Sequence, residues 1–173
     1  DDLYRATYPL KVDPTDSFGA SGDAYVVSTD GVLSVSPVSE RLRFGNSVTF
    51  DSKSGIPTYF NYRSLLRFDL SSIAGATVSA ATFGVNNGLW GNPITSAPVV
   101  GSSATTDPNA MDATTLWNAV AGTSLGTISA PVGMGNWATL TGTALRNFVD
   151  GRVGGFCSIG LTDGGTKTGF VAS

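Results

Sequence analysis

Apolar and polar residues alternate along two neighbouring runs near the middle of the chain, residues 64–70 and 77–85. A period of two is typical of a β-strand that buries one of its faces. The stretch 71–76 between the runs is small, polar and glycine-containing, which predicts a tight connection. We therefore interpret the two runs as the central strands of an antiparallel β-sandwich. The apolar faces that they would bury consist of Leu66, Phe68, Leu70, Ala81, Phe83 and Val85.

Shorter alternating segments occur on both sides of this centre, and turn-forming residues separate them. This arrangement is typical of all-β domains rather than of alternating α/β folds. The segment near residues 142–149 has apolar residues at helical spacing followed by Gly151, and it predicts one short helix. The pattern over residues 113–121 fits either a strand or one helical turn. The predicted short strands lie at residues 23–28, 32–35, 41–44, 47–50, 123–130, 136–141 and 156–161.

The composition indicates one folded domain with little charge. The chain has 173 residues, of which 41% are hydrophobic and 13% are charged, so it can form a core and lacks the signature of disorder. Its net charge is −3, and without a basic patch it is not expected to bind nucleic acid. No apolar run approaches the ~18 residues of a membrane-spanning helix, so we expect no membrane span.

The chain offers few residues for catalysis. Histidine is absent and Cys157 is the only cysteine, which removes the commonest general base and the usual means of activating a thiol. We therefore predict that the protein is not an enzyme, with a site built from distant aspartates as the alternative. No cofactor is predicted except a structural calcium ion. Its hard oxygen ligands would come from one loop and would be Asp107, Asn109 and Asp112. The alternative is that this loop is an ordinary turn.

Two stretches of the chain resemble the marker of a known family: residues 64–73, which read SLLRFDLSSI, and the run at 77–85. They are similar to the sequence marker of DNRLRE-type extracellular modules. This jelly-roll family includes carbohydrate-binding modules. The resemblance is specific around residues 64–85 and looser over the rest of residues 23–173. It implies a jelly-roll β-sandwich, a secreted, extracellular or cell-surface location, and polysaccharide as a class of ligand.

The chain departs from the pattern of this family at two places. Phe148 stands in the helix where family members usually carry a tryptophan. Family members also continue past the Phe170 region into a final strand, whereas this sequence stops at Ser173. The resemblance thus implies a sandwich with an open rim, which another chain or residues outside this sequence would close.

The first residues alternate as an amphipathic strand does, and they lie before the segment that resembles the family. We assign residues 1–22 to an N-terminal strand and linker, and residues 23–173 to the sandwich domain. The strand predicts assembly by donation to the open edge of an identical neighbour, and closure of its own sandwich is the alternative. A start at Asp1 rather than methionine is expected of a processed protein, or of a numbering that begins there. The predicted assembly face consists of Tyr4, Ala6, Tyr8, Leu10 and Val12.

One tryptophan occurs in a loop where a core residue would be out of place. Trp90 lies among Asn, Gly and Pro, and flat aromatic rings bind sugar rings by apolar contact. The alternative is that Trp90 covers the open end of the sandwich. Trp117 and Trp137 are expected in the core. The predicted sugar-binding residues are Trp90, Asn86, Asn87, Asn92 and, as a second platform, Tyr59.

Two function hypotheses follow from the sequence. The first is a non-catalytic extracellular or cell-surface structural protein whose subunits self-assemble into a fibre or surface layer by strand addition. It rests on the low charge, the N-terminal strand and the open rim. The second is a carbohydrate-binding module that recognises a polysaccharide, and it rests on the resemblance and on the loop around Trp90.

Overall fold

Short antiparallel strands dominate the fold, and the computed structural model describes residues 10–12, 16–37, 42–87, 96–129 and 136–162. Two helices lie in these residues, α1 (Ala113–Ala119) and α2 (Thr143–Asp150). The strands are β1 (Leu10–Val12), β2 (Asp16–Phe18), β3 (Gly22–Thr29), β4 (Val32–Pro37), β5 (Gly45–Phe50), β6 (Pro57–Asp69), β7 (Ala81–Asn87), β8 (Ala97–Ser102), β9 (Thr123–Ile128), β10 (Asn136–Thr141) and β11 (Phe156–Leu161).

The strands form two sheets, and every strand pair among the described residues is antiparallel. The smaller sheet has the order β10–β7–β1–β2. The larger sheet has the order β4–β3–β6–β11–β8–β9, and β5 also pairs with β6. One hydrophobic cluster contains buried residues from both sheets, so the sheets pack face to face. The prediction of an all-β antiparallel sandwich is therefore confirmed.

β6 is the longest strand of the described chain and organises the larger sheet. It has 13 residues, and β3 pairs along one edge of it over residues 60–67. The other edge is shared, because β5 pairs with residues 57–62 and β11 with residues 64–69. β5 and β11 therefore follow one another along the same edge of β6.

The two runs at the centre of the sequence pattern, now β6 and β7, lie in opposite sheets and pack against each other. All six residues of their predicted apolar faces are buried, as predicted. The rings of Phe68 and Phe83 meet edge to face across the sheets, with their centroids 6.2 Å apart. The connection between the strands contains the 3-10 turn Ser71–Ile73. It therefore joins the two layers of the sandwich rather than neighbouring strands of one sheet.

A second, smaller apolar cluster lies on the outer face of the larger sheet, beneath α1. The segment for which the pattern left strand and helix open is therefore a helix. Asp112 begins this helix, because its carboxylate accepts a hydrogen bond from the Thr115 N–H at 2.9 Å. Leu116 of α1 is then fully buried against the sheet. The cluster consists of Ala24, Val26, Leu65, Met111, Leu116 and Val120.

α2 confirms the short helix that the sequence predicts near residues 142–149. It buries Leu145 and Val149 in the main core, and the Asp150 carboxylate accepts the Val78 N–H at 2.7 Å. Within the described parts of the chain, neither helix is long and apolar enough to cross a membrane.

The strand predicted at residues 41–44 is wrong over its described residues. Leu42 and Phe44 are buried in the main core, but residues 42–44 form no strand. The Ser64 hydroxyl donates to the Arg43 carbonyl at 2.6 Å, so a side chain takes an acceptor that a neighbouring strand would otherwise use. The strand that follows begins instead at Gly45.

Residues 10–12 and 16–18 form two short strands of the smaller sheet. β1 pairs with β7 on one side and with β2 on the other, both in the same chain. Leu10 and Val12 of the predicted assembly face therefore lie within this sheet. Tyr4, Ala6 and Tyr8 lie outside the described residues. Strand donation by residues 1–9 stays a prediction.

Replacement of Phe68 tests the packing of the two sheets. We expect Phe68→Ala to lower the free energy of unfolding by about 3–5 kcal/mol, because it removes a fully buried ring and leaves a cavity between the layers. The measurement is equilibrium denaturation in urea. Val32→Ala is the control, since Val32 is 71% exposed on β4, and it should change the free energy by no more than about 0.5 kcal/mol. Equal effects of the two substitutions would contradict the assigned core.

Candidate functional site

The three residues predicted as calcium ligands lie at the starts of two helical turns. The Asp107 carboxylate accepts the Asn109 N–H at 3.0 Å and contacts an Arg67 guanidinium nitrogen at 3.2 Å. The Asp112 carboxylate accepts from the Thr115 N–H at 2.9 Å and from its hydroxyl at 2.6 Å. Both carboxylates thus cap a helical turn. No group of three or more Asp, Glu, Cys or His side chains is placed to hold a metal within the described ranges, and calcium binding stays a prediction.

Arg67 and the acidic residues around it connect β6 to the loop before α1. One Arg67 nitrogen donates to the Thr105 carbonyl at 3.2 Å, and another contacts Asp107. The guanidinium carbon lies 4.4 Å from the centroid of the Phe156 ring. Burial, and then the negative charge of Asp107, raise the pKa of Asp23 above its ordinary value. A raised carboxyl pKa also occurs in general acids. Asp107, whose charge acts on Asp23, is already paired with Arg67, and we therefore interpret this network as structural.

Cys157 is buried in the main core, inside β11. Burial raises the pKa of its thiol to about 12, and the nearby Arg152 only partly offsets this effect. Because the thiolate is the reactive form of cysteine, the folded protein presents no nucleophilic sulfur at neutral pH. The sulfur acts as a small apolar group in the core.

Thiol labelling tests the environment of Cys157. We expect less than about one tenth of the folded protein to react with a maleimide at pH 8 under conditions that label a free thiol completely, because the thiol is buried and its pKa is raised. The same protein in urea should react fully, which serves as the internal control. Rapid labelling of the folded protein, measured by mass spectrometry, would contradict this placement.

An exposed apolar surface lies at one end of the larger sheet, on the hairpin formed by β5 and β6. Phe50 pairs with Pro57 and Val48 pairs with Tyr59, so these four side chains share a face. The exposed fractions are 67% for Phe50, 64% for Ile56 and 58% for Tyr59. We call this surface the hairpin patch, and it consists of Val48, Phe50, Ile56, Pro57 and Tyr59.

Two acidic residues order the β5–β6 hairpin: Asp30 bonds to the backbone of β6, and Asp51 bonds within the turn. The Asp30 carboxylate accepts the Tyr59 N–H at 3.0 Å, and the Asp30 N–H donates to the Tyr59 carbonyl at 3.1 Å. This clasp lies just beyond the last paired residues of β3. In the hairpin turn, the Asp51 carboxylate accepts the N–H groups of Lys53 and Ser54 at 2.8 and 2.7 Å, and these bonds lower the pKa of Asp51. The patch is therefore presented on an ordered turn.

Trp137 is 42% exposed, so the prediction that it belongs to the core is wrong. In β10, Ala138 and Leu140 turn inward and are buried, and the alternation of the strand leaves Trp137 on the outer face. The indole lies over Gly84, where a Cβ atom would come within 3.2 Å of the ring. The alternation of residues 138 and 140 is the sequence signal that could have identified this exposed ring.

Polar side chains surround this indole on the outer face of the smaller sheet. Asn86 is directly opposite Trp137, and Thr139 is directly opposite Gly84. Asn86 is half-buried and takes part in interactions within the chain. We call this surface the tryptophan face, and it consists of Trp137, Thr139, Gly84 and Asn86.

Of the predicted sugar-binding residues, the structure describes Asn86, Asn87 and Tyr59. Asn86 lies on the tryptophan face, and Asn87 is paired with Asn136 at the end of β7. Trp90 and Asn92 lie outside the described residues. Tyr59 is exposed, as the second platform requires, but it belongs to the hairpin patch in the other sheet. The described part of the chain therefore offers two separate candidate surfaces, and the predicted sugar site around Trp90 stays a prediction.

Comparison of the chain with models of known protein families gives no match, and comparison with curated protein sequences gives none either. The resemblance to DNRLRE-type modules stays a prediction that rests on the residues quoted for it.

Proposed function

We propose that this chain is a non-catalytic structural β-sandwich of the cell exterior, whose copies associate with one another by strand addition. The observation that carries the proposal is the hairpin patch, in which aromatic and aliphatic side chains stand exposed beside an edge strand. Contiguous apolar surface of this kind on a folded protein usually marks an interaction site. Burial of such side chains against a second copy would remove them from water and favour association.

The composition of the hairpin supports an apolar contact between like surfaces. Between residues 44 and 62 the charged residues are Asp51 and Lys53, both in the turn. Identical copies can therefore meet at the strands of this hairpin without placing like charges opposite each other. The extracellular location is proposed on the low charge of the chain and on the family resemblance.

The mass of the protein in solution tests self-association. We expect a mass above 17.7 kDa that rises with protein concentration in sedimentation equilibrium. The double variant Phe50→Ser, Tyr59→Ser should weaken association about a hundredfold or more, because it removes two side chains whose full burial contributes roughly 1.5–3 kcal/mol each. Trp137→Ser is the control, since it removes an exposed ring from the other sheet. A mass of 17.7 kDa at every concentration would contradict the proposal.

The tryptophan face favours a second candidate function, the binding of a polysaccharide. An exposed indole on a sheet, with a threonine hydroxyl beside it, offers a sugar ring both apolar contact and a hydrogen-bonding group. Gly84 lets the ring lie close to the sheet, which presents an open platform to solvent. A long, flat polymer fits such a surface better than a small molecule, which a concave pocket would enclose.

Affinity electrophoresis in gels that contain soluble β-glucan, xylan or galactomannan tests this second candidate. We expect at least one polymer to retard the protein and to quench its tryptophan fluorescence. Trp137→Ala should abolish the retardation, because the stacking surface is lost, whereas Phe50→Ala should leave it unchanged. Retardation that survives Trp137→Ala, or no retardation by any of the three polymers, would count against this site.

A further inference from the structure

β5 has one edge with no partner among the described strands. The Asp51 N–H donates to the Ile56 carbonyl at 3.0 Å, so it points toward β6. Backbone groups of a strand point alternately to its two sides. The N–H groups of residues 45, 47 and 49 therefore point toward β6, and those of residues 46, 48 and 50 point away from it. Unpaired N–H and C=O groups along such an edge are a template for another strand.

β5 also lacks the features that keep other edge strands from pairing. It contains neither a charged residue nor a proline. By contrast, β4 ends in Pro37, β2 has three residues and begins at Asp16, and β9 pairs through a register irregularity between Val99 and Val100. Prolines, bulges and short or charged edges are common protections against pairing with other chains.

Among the strands that the structure describes, β10 is the remaining edge strand without charge or proline, and it differs from β5 in its surroundings. Leu140 of β10 lies against Gly126 of β9, where a Cβ atom would come within 2.8 Å of the leucine side chain. The edges of the two sheets thus meet on that side of the sandwich. β5 is therefore the described edge most open to strand addition.

The arrangement of β5 is complementary to that of a second, antiparallel β5. The outward backbone groups at residues 46, 48 and 50 are symmetric about Val48. A two-fold axis at that residue would pair Val48 with its own copy and Phe50 with Asn46 of the second copy. The three side chains share the face that carries Tyr59, so the two hairpin patches would become continuous. Because β5 carries no charge, no like charges meet within this pairing.

We infer that two copies of this chain join edge to edge through β5, antiparallel about a two-fold axis at Val48, into one continuous sheet. The inference rests on the proposed self-association and names the strand that performs it. It places the interface on the larger sheet, and it leaves the tryptophan face on the smaller sheet outside the contact.

Charge substitution at Val48 tests the two-fold axis, because the residue would face itself. We expect Val48→Lys and Val48→Asp each to weaken association at least about tenfold, since like charges directly opposite one another are destabilising. A one-to-one mixture of the two variants should associate again, because lysine of one copy then meets aspartate of the other. Val32→Lys is the matched control with the same change in charge, and it should associate like the unsubstituted protein, since Val32 lies on β4 and is 71% exposed. Thermal denaturation of each variant checks that it folds.

Amide hydrogen exchange by NMR gives an independent readout on the unsubstituted protein. We expect the amides of residues 46, 48 and 50 to exchange at least about tenfold more slowly at high protein concentration, while those of residues 47 and 49 are protected at all concentrations by their bonds to β6. Protection of residues 46, 48 and 50 that does not depend on concentration would mean that the chain covers its own edge, and it would overturn the inference.

The failure of the inference can be told apart from the failure of the proposed function. If the unsubstituted protein associates but the mixture of Val48→Lys and Val48→Asp behaves like either variant alone, β5 is not the joining strand, and self-association stands without it. If the unsubstituted protein sediments as a single 17.7 kDa chain at every concentration, both are overturned.

Discussion

The length of β6 is the constraint on which the rest of the described structure depends. Its 13 residues span about 40 Å, which is more than any neighbouring strand covers. β5 and β11 divide one of its edges between them, and β3 takes the middle of the other. One half of β6 therefore supplies Leu66 and Phe68 to the core between the sheets, while the other half extends into an exposed hairpin. The candidate interface is a direct consequence of this division.

The alternation of apolar residues was enough to identify the core strands. Phe68 and Phe83 are buried as the pattern predicts, because a strand that is covered on one face must place its apolar residues at every second position. α2 was predicted for a similar reason, since its apolar residues recur at helical spacing. The pattern could not show that β6 and β7 lie in different sheets, because local periodicity contains no information about which strands pair.

The candidate surfaces were harder to predict from sequence than the core. Tyr59 is exposed, as a second platform requires, but its neighbour Phe50 comes from another strand, and only the pairing of β5 with β6 brings them together. The expectation that Trp137 lies in the core is wrong, because the alternation of its own strand places the ring on the outer face. Trp90 lies beyond the described residues. Residue type alone is thus a weaker guide to exposure than the period of the strand that carries the residue.

Three aspartates of the described chain fix the ends of its elements. Asp112 begins α1, Asp107 caps the turn before it, and Asp51 orders the β5–β6 turn. Each carboxylate accepts backbone N–H groups that would otherwise lose their partners at the end of an element. These aspartates therefore have structural roles, which is consistent with the proposal that the protein acts through its surfaces.

The central claim is that copies of this chain meet at the hairpin patch of the larger sheet. Isotope-filtered NMR on a one-to-one mixture of labelled and unlabelled protein tests it most directly, because it detects only contacts between different copies. The account predicts intermolecular contacts from the methyl groups of Val48 to Val48 of the other copy, and from the ring of Phe50 to Asn46. Intermolecular contacts confined to other surfaces, such as the tryptophan face, would contradict it.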